Sequence, residues 1–202
     1  MYKTLKQLTE KDHVAFRMLA ACGNASTAAL LATGISISRI QCYKKEGLIA
    51  QITYQNTRSQ KSLKVAWGLT GKGRFFVEKT YRTGASSSVN AIRHNVAVAE
   101  AYAQILQTND VDPYHIYSEY EIRPIVEECI YNTQEEFEPM EKVLREAMYI
   151  SNELSMPDLT YITASGEIVC VEVETKSYSQ EKLKAKRKTA EVLEATYVPV
   201  RI

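Results

Sequence analysis

Asp158 follows a proline, and fourteen residues further on Glu172, Glu174 and Lys176 occupy alternate positions. Alternation puts the last three on one face of a strand. The segments 157–163 and 167–175 read as the two strands of a hairpin around Ala164-Ser165-Gly166. A three-residue loop with Gly166 in the left-handed conformation selects one register. That register sets Ile162 opposite Ile168, Thr160 opposite Cys170 and Asp158 opposite Glu172, while Leu159, Tyr161, Val169, Val171 and Val173 share the other, buried face. Like charges directly opposed across a sheet destabilise it, and a divalent ion between them removes that penalty. Carboxylate oxygens suit Mg²⁺ or Mn²⁺, so Asp158 and Glu172 are the expected metal ligands. Glu174 lies one pleat further along the same face, with Lys176 beyond it.

The elements that must hold these groups follow from periodicity. A helix is predicted over 91–106, a strand over 115–123 ended by Pro124, a helix near 140–148, the hairpin, a helix over 180–194 capped by Ser179, and a last strand over 197–201. The order is α, β, β, β, α, β with the helix near 140–148 as an insertion. Glu100 on the first of these helices, Glu119 or Glu121 on the first strand, and His94 are auxiliary candidates for a further ligand or a phosphate contact. On the 180–194 helix Lys182, Lys184, Lys186, Arg187 and Lys188 make a basic surface, with Lys184 and Lys188 the residues expected to hold a DNA backbone. The acidic run from Glu127 to Glu141 reads as a solvated loop.

Charge divides the 202-residue chain in two: its formal net charge is +1, yet residues 1–90 carry 14 basic and 4 acidic side chains and residues 91–178 carry 5 basic and 17 acidic. A composition break at 81–88, polar and small, marks a linker, and the expected domains are 1–84 and 85–202. The first is basic, as a partner of a polyanion would be. No apolar run reaches the roughly 20 residues of a membrane span and the start lacks a secretory pattern, so no membrane partner and a cytoplasmic location are expected. Cys22, Cys42, Cys129 and Cys170 stand singly and read as free thiols.

Within the first domain a helix over 9–22, a short helix capped by Asn24 or Ser26 and ended by Gly34, and a third helix from Ser36 to a stop at Gly47 give helix, helix, turn, helix. Two strands, 48–54 and 63–69, flank the polar loop 55–62, and Thr70 opens a further helix. Gly71-Lys72-Gly73 lacks the first glycine and the spacing of a phosphate-binding loop. Lys45-Glu46-Gly47-Leu48-Ile49 and Trp67-Gly68-Leu69-Thr70-Gly71-Lys72-Gly73-Arg74 resemble winged-helix DNA-binding domains. The resemblance implies that Ser38, Arg39, Gln41 and Lys45 of the third helix reach base edges or phosphates, and that Arg58, Lys61 and Lys64 of the wing contact the backbone.

Pro157-Asp158 with Glu172-Val173-Glu174, or in a second register Glu174-Thr175-Lys176, resembles the PD-(D/E)xK nuclease superfamily, in which the aspartate and the first acid bind metal and a third residue, usually lysine, activates the attacking water for phosphodiester cleavage; the resemblance implies that Glu174 or Lys176 has that role here. Together the two domains make an α+β chain that resembles plasmid replication-relaxation proteins and MobC-type relaxases. That resemblance implies origin nicking on duplex DNA in company with relaxosome or replication proteins. The alternative is a regulator or relaxosome accessory protein without catalysis, binding an operator or origin and using its second domain for homodimerisation or partner contact. Tyrosine relaxases need paired metal-binding histidines, whereas His13, His94 and His115 lie far apart.

Overall fold

The computed structural model describes residues 7–55, 63–82, 84–85, 91–108, 111–132, 153–175 and 178–201. Arg58, Lys61, Lys176, the expected helix near 140–148 and Glu135, Glu136, Glu138 and Glu141 lie outside the described residues. The architecture is mixed α and β with two sheets, and the chain divides into two compact units, Met1–Tyr114 and His115–Ile202.

In the first unit, polar residues set the ends of successive helices. Helix α1 (Glu10–Cys22) begins at Thr9, whose backbone N–H and hydroxyl both donate to Asp12, and ends at Gly23 with φ +77°. Strand β1 (Asn24–Ser26) follows. The Ser26 hydroxyl then accepts from Ala29 N–H to open α2 (Thr27–Ala32), and Ser36 does the same for Arg39 N–H at the start of α3 (Ile37–Lys45). Strands β2 (Ile49–Gln55) and β3 (Leu63–Leu69) pair antiparallel with Ile49 opposite Leu69. The short β1 pairs with the other edge of β3, giving the order β1-β3-β2. Thr70 caps α4 (Gly71–Tyr81). Phe16, Leu19, Leu30, Ile40, Tyr43, Leu48 and Val77 form the core.

Helix α5 (Ile92–Gln107) packs on α1, α2 and β1, and the buried Asn95 amide donates to Asn24 Oδ1 at 3.0 Å. The first unit therefore extends through α5, past the boundary near residue 85 expected from composition. Strand β1, three residues long, is also an addition to the sequence-derived elements.

The second unit opens with a 3₁₀ turn at Pro113–His115 that leads into β4 (Ile116–Ser118). The chain then turns into α6 (Glu119–Asn132), so the strand expected over 115–123 is three residues long and gives way to helix. The cause is local: Glu121 accepts from both the N–H and the hydroxyl of Ser118, a reciprocal cap that starts a helix. Pro124 lies inside that helix, and Glu127 and Glu128 are helical, not part of a solvated loop. Strands β5 (Leu159–Ile162) and β6 (Ile168–Glu174), helix α7 (Gln180–Val192) and strand β7 (Thr196–Arg201) complete a sheet of order β4-β5-β6-β7. The first three strands are antiparallel and β7 runs parallel to β6 through the α7 crossover. Ile122, Val126, Leu154, Met156, Cys170, Ala190 and Leu193 pack as its core.

Candidate functional site

Gly166, at φ +83°, lets the β5–β6 loop close with Gly166 N–H donating to Thr163 O and Thr163 N–H to Glu167 O. The resulting register pairs Ile162 with Ile168 and Thr160 with Cys170, as the loop length predicts. One residue before β5, Asp158 comes opposite Glu172. Its N–H donates to Glu172 Oε2 at 3.2 Å, and its Oδ2 accepts from Val173 N–H at 2.8 Å. The two acids are thus fixed to each other's strand by backbone hydrogen bonds.

The sheet face that carries the two acids is itself buried. Strand β6 is buried on both faces, and Glu172 has no exposure at all. Lys186 of α7, expected on a solvated basic surface, turns inward. Its side chain is 6% exposed, and its ammonium lies 2.8 Å from Glu172 Oε2 and 3.9 Å from Asp158 Oδ1 and donates to Met156 O at 2.5 Å. The counter-charge that the sequence argument assigned to a metal is supplied, at least in part, by this lysine. Burial raises the Glu172 pKa, Asp158 raises it further, and Lys186 opposes both.

One oxygen remains. Glu172 Oε1 is sealed from solvent and accepts no hydrogen bond among the described residues. An unsatisfied buried carboxylate oxygen beside a second carboxylate fits a hard cation. Among the described residues, however, no group of three or more histidines, cysteines, aspartates and glutamates comes together as a metal site.

Neither a family model, nor a curated protein, nor a solved structure matches this chain.

Glu174, expected to position water, is buried to 9% exposure and engaged elsewhere: Arg201 lies 3.5 Å away and the Tyr197 hydroxyl donates to it at 3.3 Å. Two tyrosines missed in the sequence flank the acids. Burial first, then the negative charges of Asp158 and Glu172, hold the Tyr178 phenol well above its ordinary pKa, so it stays protonated. Burial, then Glu172 and Glu174, do the same for Tyr197. Helix α7 places a cation over each ring, Lys182 at 4.0 Å from the Tyr178 centroid and Arg187 at 5.6 Å from that of Tyr197. Lys184 is exposed, and the exposed Lys188 pairs with Glu153.

The auxiliary acids of the second unit have partners of their own. Glu119 bonds Arg123 one helical turn on and Glu121 caps α6. Glu100 and His94 are carried by α5, in the first unit, Glu100 exposed and His94 half-buried.

In the first unit, α3 divides into two faces. Ile40 and Tyr43 are buried, and Arg39 points with them, its guanidinium donating to Asp12 Oδ1 at 2.7 Å and Oδ2 at 2.6 Å and to Gln7 O at 2.5 Å. Arg39 is therefore a clamp between α1 and α3, not the base-reading side chain expected. Burial opposes ionisation of Asp12, but hydrogen bonds from Arg39, Tyr43 and Thr9 outweigh it and hold the carboxyl at about 2. The other face presents Ile37, Ser38, Gln41 and Lys45 to solvent, with the Ser38 hydroxyl against that of Ser36. Lys44 donates to Gln51 and lies 5.9 Å from the Trp67 ring centroid, and Lys64 is exposed on β3.

Proposed function

We propose that the chain is a DNA-binding, metal-dependent endonuclease of a plasmid or mobile element, nicking or relaxing DNA at an origin. The first unit is read as a winged helix that chooses the site, and the second as a PD-(D/E)xK-like nuclease domain. The observation that carries the reading is the buried cluster of Asp158, Glu172 and Lys186, with Glu172 Oε1 left without a hydrogen bond.

Asp158 and Glu172 would hold a Mg²⁺ or Mn²⁺ ion. Such an ion supplies charge stabilisation at a phosphoryl oxygen and acidifies water. The chain's own groups do the rest. Backbone N–H groups of Val173 and Asp158 fix the two carboxylates, so neither must reorganise when substrate arrives. Lys186 takes the role that the sequence assigned to Glu174 or Lys176: a positive donor beside the acids, able to orient water or a phosphate oxygen. Tyr178, protonated, donates and does not act as a base. The +10 balance of residues 1–90 supplies the sequence-independent part of DNA affinity, and exposed Gln41, Lys45 and Lys64 are available to duplex DNA.

One observation favours a second reading. Lys186 already sets a positive charge against the buried acids, so the cluster is partly self-compensated without a metal. A regulator or relaxosome accessory protein that binds an operator or origin without cutting it, and uses the second unit for homodimerisation or partner contact, is consistent with that balance.

Supercoiled plasmid incubated with Mg²⁺ or Mn²⁺, and with EDTA, separates the two. The nuclease reading expects metal-dependent open circles that vanish with Asp158→Ala and Glu172→Ala. Retarded but uncut plasmid under every metal condition, with no divalent-ion binding by calorimetry, favours the regulator. In the same gels Lys45→Ala is expected to reduce the slope of affinity against salt by about one unit on a logarithmic scale.

A further inference from the structure

The exposed face of α3 carries a chemistry that its lysine alone does not explain. Ile37 is 58% exposed at the first helical position. A lone exposed isoleucine carries no message. This one stands in line with Gln41 and Lys45, at successive spacings of four, so the three side chains form one ridge along the helix. The ridge runs from apolar through amide to cation, and it is the face turned away from Ile40, Tyr43 and the Arg39 clamp. It belongs to a segment with 14 basic and 4 acidic side chains, so its charge complements a polyanion.

In the major groove these groups have distinct partners. An apolar side chain meets the 5-methyl group of thymine, and a glutamine pairs bidentately with N6 and N7 of adenine. A lysine further along the helix reaches phosphate. We infer that α3 reads a thymine methyl through Ile37 and a neighbouring adenine through Gln41, which makes the target duplex A·T-containing at adjacent positions, with Lys45 anchoring the flanking backbone. The inference rests on the reading of the first unit as a winged helix. Specificity then comes from Ile37 and Gln41, and Arg39 contributes by holding the helix in place.

The test uses the full chain. A duplex is selected from a random-sequence pool, and its thymines are replaced one at a time by deoxyuridine, which removes only the methyl group. Kd is measured by fluorescence anisotropy for the wild type, Ile37→Ala and Gln41→Ala. Both side chains are exposed, so both variants should retain the wild-type circular dichroism. One deoxyuridine position is expected to weaken the wild type about four-fold, the worth of one buried methyl, and to leave Ile37→Ala unchanged. Gln41→Ala should lose discrimination at an adjacent A·T pair by roughly ten-fold or more. Sequence-selective binding with no deoxyuridine-sensitive position, or an equal penalty in Ile37→Ala, overturns the inference. Binding with no sequence preference overturns it too, while leaving DNA binding intact. Failure to retain any duplex even at low salt defeats the winged-helix reading itself, and the inference with it.

Discussion

Replacing Lys186 by methionine removes the ammonium that lies 2.8 Å from a glutamate with no solvent exposure. The aliphatic volume is roughly kept, so the energetic change is that of stranding Glu172. Burial and Asp158 already push its pKa up, and without the lysine only Asp158 N–H and the Tyr178 hydroxyl favour the charged form. The carboxylate will escape by taking a proton. From an ordinary pKa of 4.5, taking that proton at pH 7 costs about 3.4 kcal/mol, which is the ceiling on the loss, because burial and Asp158 already raise the pKa in the wild type. The sign follows: a folded-state pKa raised above 4.5 makes the variant less stable as pH rises. The loss should shrink by about 1.4 kcal/mol per pH unit on going down, to about 0.7 kcal/mol at pH 5. Adding Glu172→Gln should recover most of the stability and abolish the pH dependence, because no buried charge is left. Urea unfolding followed by far-UV circular dichroism at pH 5, 6 and 7 measures this. The single tryptophan, Trp67, lies in the first unit and reports separately on that part of the chain. A loss below about 1 kcal/mol at pH 7, a loss independent of pH, or a double variant no better than Lys186→Met would refute the reasoning. The double variant should also remain unable to nick plasmid, which divides the structural role of the pair from its proposed chemical one.

Two further outcomes are expected in the first unit. The Asp12 carboxyl is held at about 2 against 3.8 in the unfolded chain, so it contributes about 2 kcal/mol at neutral pH that is lost as pH falls from about 4 through 2; Asp12→Asn should remove that step from the acid-unfolding curve, and an unaltered curve would contradict the assignment. At Gly73 a Cβ would lie 2.0 Å from Leu48 O, whereas at Gly71 it meets nothing within 4 Å. Gly73→Ala should therefore lower stability by about 3 kcal/mol or more and Gly71→Ala should leave it unchanged or raise it by up to about 1 kcal/mol, both read from the Trp67 fluorescence midpoint.

Local chemistry was legible where a single residue decides the outcome. Ser36, Thr70 and Ser179 cap the helices that their positions predict, and Gly166 fixes the hairpin register that brings Asp158 opposite Glu172. Features set by neighbours distant in sequence were not. Alternation over 115–123 looked like a strand because the pattern is short, and the Ser118–Glu121 cap decides otherwise. Lys186 looked solvated because it sits among lysines, yet it occupies the buried stripe of α7 with Ala185, Thr189 and Ala190. Its spacing of three from Leu183 and four from Ala190 was the available signal. The sequence points Arg39 toward DNA because it does not show that Asp12, 27 residues earlier, lies beneath it.

The two-faced character of α3 bears on how such a protein changes over time. The residues that fix the helix, Arg39, Ile40 and Tyr43, interleave along the chain with those that face outward, Ile37, Ser38, Gln41 and Lys45, but their side chains bond different partners: those of Arg39 and Tyr43 reach Asp12, and that of Ser38 reaches Ser36. Substitutions on the outer ridge can then accumulate one at a time without passing through unfolded intermediates. On the proposed reading of α3 as the DNA-reading helix, a lineage carrying this scaffold is free to migrate to new target sequences, and a library confined to those outer positions is the economical way to redirect it in the laboratory.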